Sequence, residues 1–252
     1  MSMRWNNLST QTMSENFKLD LGANKLAIFS DTHLSDQFDV VQFEFIKGVV
    51  ESVDRVIING DFWEGYFYSF DEFLNSPWKE LFPLLKEKKT VYIHGNHDLA
   101  KYLDERTSLF SDIVAESYEF SSGGKDFVCL HGHQYIESPQ KQSLMMRSKF
   151  LLGSLYLVYY VGMWLLNESF WKIYAFENNR LKKVQKNEFP GKILITGHTH
   201  LMEKDDQFIN LGVMSFGFFE YAWLENGEIR QYKERYKVSF KERFSGFFRL
   251  KN

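Results

Sequence analysis

The sequence predicts an α/β fold, and three observations carry that prediction. Short apolar runs of strand length alternate with segments whose apolar residues have helical spacing. Most of these runs end in turns rich in Gly, Asn, Asp and His, where α/β sheets keep their chemistry. A chain of 252 residues with 44% hydrophobic content is also long enough to bury a substantial core as one domain, with room for an inserted subdomain.

In order, Lys25-Leu26-Ala27-Ile28-Phe29 reads as a buried strand, preceded by a hairpin through Gly22-Ala23-Asn24, and it ends at Ser30-Asp31-Thr32-His33. Residues 39–52 have helical spacing through Val40, Phe43, Ile46, Val49 and Val50. Arg55-Val56-Ile57-Ile58 is a second strand and ends at Asn59-Gly60-Asp61. An aromatic stretch runs from Phe62 to Phe73, followed by a helix from Pro77, a favourable first helical residue, to Lys88. Thr90-Val91-Tyr92-Ile93 is the third strand and delivers the turn Gly95-Asn96-His97-Asp98. Residues 116–120 and 126–130 pair across Ser121-Ser122-Gly123-Gly124, and the second of them ends at His131-Gly132-His133. Residues 137–188 break the rhythm and read as continuous helix. A further buried strand, Lys192 to Thr196, ends at Gly197-His198-Thr199-His200, and residues 208–211, 218–224 and 228–236 close the chain as strands.

A net charge of −3 and a pI near 6.2 argue against a general nucleic-acid binder. The single cysteine, Cys129, lies in the apolar run Phe127-Val128-Cys129-Leu130 and reads as a buried, inert thiol in a reducing compartment. Residues 1–16 are polar and lack an apolar signal-peptide core, so a cytoplasmic location is expected.

Five strand endings share one chemistry. Asp31 and His33, Asp61, Asn96 with His97, His131, and His198 with His200 are all metal-competent, and with His133 two residues beyond His131 six of the seven histidines fall in these endings. The seventh, His94, reads as strand-end packing. A lone Gly-Asn-His-Asp is ordinary turn chemistry, with Asp98 capping a helix; five such endings together predict a dinuclear metal site. In Asp31-x-His33 and His198-x-His200, alternate residues reach neighbouring coordination positions from one strand end. The mixture of imidazole, carboxylate and amide oxygen suits Mn foremost, with Fe or Zn as alternatives, over an all-oxygen Mg or Ca cage or a thiolate site. Asp61 can bridge two ions about 3.5–4 Å apart, a pair that activates water and stabilises an in-line displacement at phosphorus.

Asp-x-His, Gly-Asp, Gly-Asn-His-Asp, His and Gly-His-x-His, in this order, resemble the calcineurin-like metallophosphoesterases over nearly all of residues 25–236. The resemblance implies an α/β sandwich of two mixed β-sheets flanked by helices, and hydrolysis of phosphoric esters or pyrophosphates. It places one divalent ion among Asp31, His33, Asp61 and His200, and a second among Asp61, Asn96, His131 and His198. His97 is then the catalytic residue that contacts the phosphate and protonates the leaving group, oriented by Asp98. For His133 two roles stand, a substrate contact and a structural histidine.

Phe29-Ser30-Asp31-Thr32-His33-Leu34, Gly60-Asp61-Phe62-Trp63-Glu64, Tyr92-Ile93-His94-Gly95-Asn96 and Asn210-Leu211-Gly212 resemble one branch, the UDP-2,3-diacylglucosamine hydrolases, which cleave a lipid-linked nucleotide pyrophosphate. That branch carries a helical lid where residues 137–188 lie, so the expected organisation is a core of residues 1–136 and 189–238, the lid, and a tail of residues 239–252. The branch has Arg where His97 stands and His-Gly-Asp where this chain has His131-Gly132-His133, and both departures lead towards the general phosphoesterase pattern. A soluble phosphatase or phosphodiesterase with a small substrate is the alternative, and a non-catalytic scaffold a third.

Residues 150–166 form 17 positions without a charge, barely enough to span a bilayer. A single span there would put His131 and His198 on opposite sides of the membrane, although both belong to one site. The run therefore reads as a packed lid helix, or as a surface for acyl chains. Residues 230–252 hold eight Lys or Arg against two Glu, and Phe240, Phe244, Phe247 and Phe248 recur at helical spacing between basic residues. That pattern fits an interfacial helix on an anionic membrane surface as well as it fits a terminal helix packed on the domain.

Overall fold

The computed structural model describes residues 19–20, 24–137, 158–159, 161–162 and 165–236. Strand β2 (Leu26–Phe29) is buried along its whole length. Leu26 and Ile28 enter one core cluster while Ala27 and Phe29 enter another, so both faces of the strand are covered and its sequence is continuously apolar. β3 (Arg55–Asn59) and β4 (Val91–Ile93) extend the sheet in parallel, with Ile28 opposite Ile57 and Ile57 opposite Val91. β5 (Ile113–Ala115) closes that side in parallel, and β11 (Phe218–Glu225) and β12 (Glu228–Arg235) close the other in antiparallel, giving the order β12-β11-β2-β3-β4-β5.

The second mixed sheet has the order β1-β6-β7-β8-β10-β9, from β1 (Leu19–Asp20), β6 (Ser117–Ser122), β7 (Lys125–Leu130), β8 (Ile193–Thr196), β9 (Glu203–Lys204) and β10 (Phe208–Asn210). The β6–β7 hairpin forms across Gly123-Gly124 as the sequence predicts. Between the sheets lie Leu26, Ile28, Ile57 and Ile93 on one side and Phe120, Phe127, Cys129 and Ile195 on the other. Cys129 is fully buried, and burial pushes its thiol pKa well up. The α/β sandwich of two mixed sheets is therefore the fold that the sequence predicts.

Helix α1 (Val40–Glu51) covers the outer face of the first sheet through Phe43, Ile46, Val49 and Val50. It begins where Asp39 accepts hydrogen bonds from the amides of Val41 (2.9 Å) and Gln42 (3.1 Å). The aromatic stretch turns out to be core: Phe62, Trp63, Phe70 and Phe73 pack with Trp78, Phe82 and Phe110. Within it a reciprocal cap between Ser69 and Glu72 starts α2 (Phe70–Asn75), an element absent from the sequence reading.

Three expectations need correction. The helix over residues 77–88 is two pieces, a 3₁₀ turn at Pro77–Leu81 and α3 (Phe82–Glu87), because Pro83 has no amide to continue a helical ladder. No hairpin joins β1 to β2: both edges of β2 are occupied by β3 and β11, and Leu19–Asp20 instead pairs in parallel with Phe120 and Ser121 of the other sheet. Residues 137–188 are not one continuous helix. Helix α4 (His133–Ile136) ends with Glu137 in extended backbone, and Asn167–Tyr174 is 3₁₀ before α5 (Ala175–Glu188) begins. The three-residue period sets Trp171 and Tyr174 on one side, where both meet the ring of Tyr159. Most of the apolar run at 150–166, and the whole tail at 239–252, lie outside the described residues. Among the described residues no helix is long and apolar enough to cross a membrane.

Candidate metal centre

β2, β3, β4, β7 and β8 all deliver their endings to one edge of the sandwich. Buried Asn59 ties the two sheets together there, donating from Nδ2 to the carbonyl of Leu130 (3.1 Å). The turns beyond the strands interlock: the Asp31 amide donates to the Gly60 carbonyl (3.1 Å), the His33 amide to the Asp61 carbonyl (3.0 Å), and the His198 amide to Asp31 Oδ2 (3.1 Å). Asp31, His33, Asp61, His198 and His200 hold positive φ, between 46° and 68°, a region that side-chain-bearing residues seldom occupy. Gly60 has φ +89° and must stay glycine for a second reason, since a Cβ there would stand 2.3 Å from His131 Nδ1.

All seven predicted metal ligands converge. The ligand atoms of Asp31, His33 and His200 lie within 4.8 Å of one another, and so do those of Asp61, His131 and His198. Asp31 Oδ1 stands 3.1 Å from His200 Nε2, and the Nε2 atoms of His33 and His200 are 3.2 Å apart. In the second group Asp61 Oδ2 is 3.2 Å from His131 Nε2, while Asn96 Oδ1 is 3.2 Å from the same nitrogen and 2.9 Å from His198 Nδ1. The Nδ1–H of His131 is spent on the Asn59 carbonyl (2.9 Å), which leaves its Nε2 to face Asp61 and Asn96. The inward atoms are thus mostly lone-pair atoms, packed closely in a buried place, and such a set calls for positive charge among them. Four imidazoles, two carboxylates and an amide oxygen match a pair of borderline divalent cations.

The electrostatics have the same sense. Burial by itself would raise the carboxyls of Asp31 and Asp61, but the surrounding imidazoles, His131 foremost, hold both below the ordinary carboxylate range, Asp61 well below. Burial works against charge on His131 too, and Asp61 and Asp31 overrule it, pushing the imidazole up to about 10. Burial pushes His198 well down and His200 down, leaving both rings neutral with a lone pair to offer.

The surroundings of His97 correct one assignment. Asp98 does not orient His97. Its carboxylate points inward, where Oδ1 accepts from the amides of Gly95 (2.5 Å) and Asp61 (3.1 Å), and Oδ2 from the Phe62 amide (2.7 Å) and the Tyr92 hydroxyl (2.6 Å). Asp98 therefore fastens the β4 turn to the β3 turn. The residue that orients His97 is Glu64, whose Oε1 accepts from His97 Nδ1 at 2.7 Å while its Oε2 lies 3.3 Å from His33 Nδ1. The imidazoles of His97 and His33 overcome the effect of burial and lower the Glu64 carboxyl to about 2. Burial opposes charge on His97, yet Glu64 and Asp61 raise its imidazole to about 9, and Nε2 is turned towards Asp61 Oδ2 at 3.8 Å. In the sequence Glu64 enters only as the last residue of Gly60-Asp61-Phe62-Trp63-Glu64, with no role assigned to it, because its partners His97 and His33 are distant along the chain.

His133 opens α4 beside the cluster, its ring 5.5 Å from that of His131 and 6.3 Å from that of His198. Burial, then the neighbouring His131, lowers its imidazole to about 3, and its buried Nδ1 has no hydrogen-bond partner among the described residues. His94 continues the strand pairing with its amide on the Ala115 carbonyl (3.2 Å), in keeping with strand-end packing. Two aromatics outside the sequence reading enclose the first group: Trp171 meets His200 edge-on at 4.6 Å, and Phe216 lies 5.5 Å from His33.

A search among curated proteins finds no match to the chain. Solved structures with similarity include the phosphoesterase YfcE from E. coli, at 16% identity over 82% of this chain and 98% of that one, with a TM-score of 0.44. Wild-type Vps29 complexed with Zn²⁺ from Entamoeba histolytica is 13% identical over 84% of this chain and 99% of that one, with a TM-score of 0.45. Vps29 from Cryptosporidium parvum is 14% identical over 85% and 98%, with a TM-score of 0.44. The sequence model of the calcineurin-like phosphoesterases matches residues 25–202, a stretch that contains all five metal-competent strand endings, and the chain belongs to that family.

Proposed function

We propose that this chain is a dinuclear-metal hydrolase of a phosphodiester or pyrophosphate bond. The observation that carries this reading is the convergence of Asp31, His33, Asp61, Asn96, His131, His198 and His200 from five strand endings into two buried groups of ligand atoms. Asp31, His33 and His200 would hold one divalent cation, Asn96, His131 and His198 the other, and Asp61 both, with Mn the first candidate. Such a pair, when bound, activates water for attack on phosphorus and offsets charge on the phosphoryl oxygens. His97 Nε2 faces the space above Asp61 and gives its proton to the leaving oxygen. Glu64 keeps the His97 Nδ1 proton in place, fixing the ring so that Nε2 alone faces the substrate. The rings of Trp171 and Phe216 flank His200 and His33 on the side of the first cation.

The substrate we favour is a lipid-linked nucleotide such as UDP-2,3-diacylglucosamine, taken from a membrane surface on the cytoplasmic side. Two features support this choice. Trp171 and Phe170 pack with Val213 and Phe218 next to His200, so the segment between the fourth and fifth motifs reaches the site. Val158, Leu165, Leu166, Ile173 and Phe176 of the same segment are exposed apolar residues, the last at 65%. His97, in place of the Arg of the diacylglucosamine hydrolases, favours a second reading, a phosphatase or phosphodiesterase acting on a small soluble substrate. The test compares hydrolysis of UDP-2,3-diacylglucosamine with that of nitrophenyl phosphate mono- and diesters, with Mn²⁺ added. A strong preference for the acylated substrate supports the first reading, and a preference for the soluble esters the second. Activity on none of them under any divalent metal overturns both.

A further inference from the structure

His198 and His200 serve different cations in the reading above, and both hold left-handed backbone, with φ of +68° and +56°. Bends of this kind persist only where the surroundings over-determine them. Asp31 Oδ2 holds the His198 amide, which fixes one side of the loop. The other side is fixed through Thr199, the residue between the two histidines.

Thr199 Oγ1 donates to Asn178 Oδ1 at 2.8 Å. Asn178 is fully buried and stands on α5, the helix that ends the stretch between His131 and Gly197. Its amide fits only one way round. Nδ2 faces two groups that accept hydrogen bonds, the Leu201 carbonyl (3.1 Å) and Glu203 Oε2 (2.8 Å), and the other oxygen of Glu203 is paired with Lys182 Nζ. Oδ1 is therefore the atom turned to Thr199, and the Thr199 hydroxyl spends its one proton there. Asn210, also buried, has a fixed sense for the same reason. Its Oδ1 accepts from the Gly212 amide (3.0 Å), and its Nδ2 donates to the Gly197 carbonyl (2.8 Å) and reaches Thr199 Oγ1 (3.0 Å) and Asn178 Oδ1 (3.1 Å). The loop is thus gripped at Gly197, Thr199 and Leu201, and the two histidines that alternate with them carry the ligand atoms.

We propose that Asn178 is a positioning residue shared by both cations: through Thr199 it holds the Gly197-His198-Thr199-His200 loop in the bend that presents His200 to the first cation and His198 to the second. The inference rests on the dinuclear reading above. It adds a helix outside the five strand endings on which both ions depend.

Substitutions at Thr199 isolate the contact. Thr199→Val keeps the shape of the side chain and removes the hydroxyl, Thr199→Ser keeps the hydroxyl, and Asn178→Ala removes the other partner. Titration calorimetry with Mn²⁺ on the stripped full-length chain should show two sites in the parent. In Thr199→Val and Asn178→Ala both sites should weaken together, each about 10-fold or more, within the about 10–100-fold span usual for residues that support a metal ligand, while in Thr199→Ser both should stay within about 3-fold. Thermal melts of the metal-free chains accompany the titrations, and should Asn178→Ala not fold, the Thr199 pair decides. Parent-like Mn²⁺ affinity at both sites in Thr199→Val, whether or not its Tm falls, makes the contact framework alone; it overturns the inference and leaves the dinuclear reading standing. Weakening of a single site also overturns it, since the loop would then not be held for both ions. An equal loss in Thr199→Ser and Thr199→Val does the same, because the hydroxyl would not be the cause. A parent chain that binds no Mn²⁺ overturns the dinuclear reading and the inference together.

Discussion

Two adjacent side chains, His97 and Asp98, are turned to opposite tasks. His97 turns Nε2 towards Asp61 Oδ2 and takes its orientation from Glu64. His97→Ala should lower kcat by about 10²–10⁴ on esters with poor leaving groups, and less on nitrophenyl esters, while elemental analysis still finds the parent metal content. An unchanged kcat on alkyl esters would remove its role as acid. Glu64→Gln, which leaves the ring less firmly placed, should lower kcat by about 10-fold or more, measured on the same esters. Asp98 belongs to the framework instead. Its carboxylate accepts from three backbone amides and the Tyr92 hydroxyl, fully buried. Asp98→Ala should therefore cost about 3 kcal/mol or more of stability, because several buried donors lose their partner at once. Urea unfolding reads this directly, and a midpoint equal to that of the parent would contradict it.

At the scale of elements, the best-read parts were the strands that carry ligands. β2, β3, β4 and β8 lie at the centre of their sheets with both faces covered, so burial wrote itself into unbroken apolar runs such as Leu26-Ala27-Ile28-Phe29. Their endings were legible for the same reason, since Asp and His stand out at the close of such a run. Among the elements that went unread, β5 and β9 are strands of three and two residues, with Ile113 and Val114 of β5 exposed at the sheet edge, and α2 is a six-residue helix hidden inside the aromatic run. Glu64 was illegible in function because its partners, His97 and His33, are joined to it by folding alone; its neighbours in sequence, Phe62 and Trp63, announce only core. Helix α1 shows how much one local contact contributes. Asp39 caps its first turn and also receives the Tyr236 hydroxyl at 3.3 Å. Asp39→Ala should lower stability by about 1 kcal/mol, seen as a reduced Tm with kcat preserved.

For the whole molecule, the two sheets meet the candidate metals at a single edge, so ion binding and folding are linked. Mn²⁺ added to the chelator-stripped chain should raise Tm, since a site filled at 100 times its Kd contributes about 2.7 kcal/mol, roughly 2–4 °C for each kcal/mol in a chain of this size. A thermal melt with and without Mn²⁺ decides the matter, and no shift at saturating metal would count against a buried site. The backbone around that edge has a further consequence. Asp31, His33, Asp61, His198 and His200 are all bent left-handed, each at a cost of about 1 kcal/mol or more against an ordinary bend. Glycine at any of these positions would relax the backbone and remove a metal-competent side chain. All five of these residues have metal-competent side chains, so the backbone strain is concentrated where the candidate site is built and cannot be relieved without removing ligand atoms.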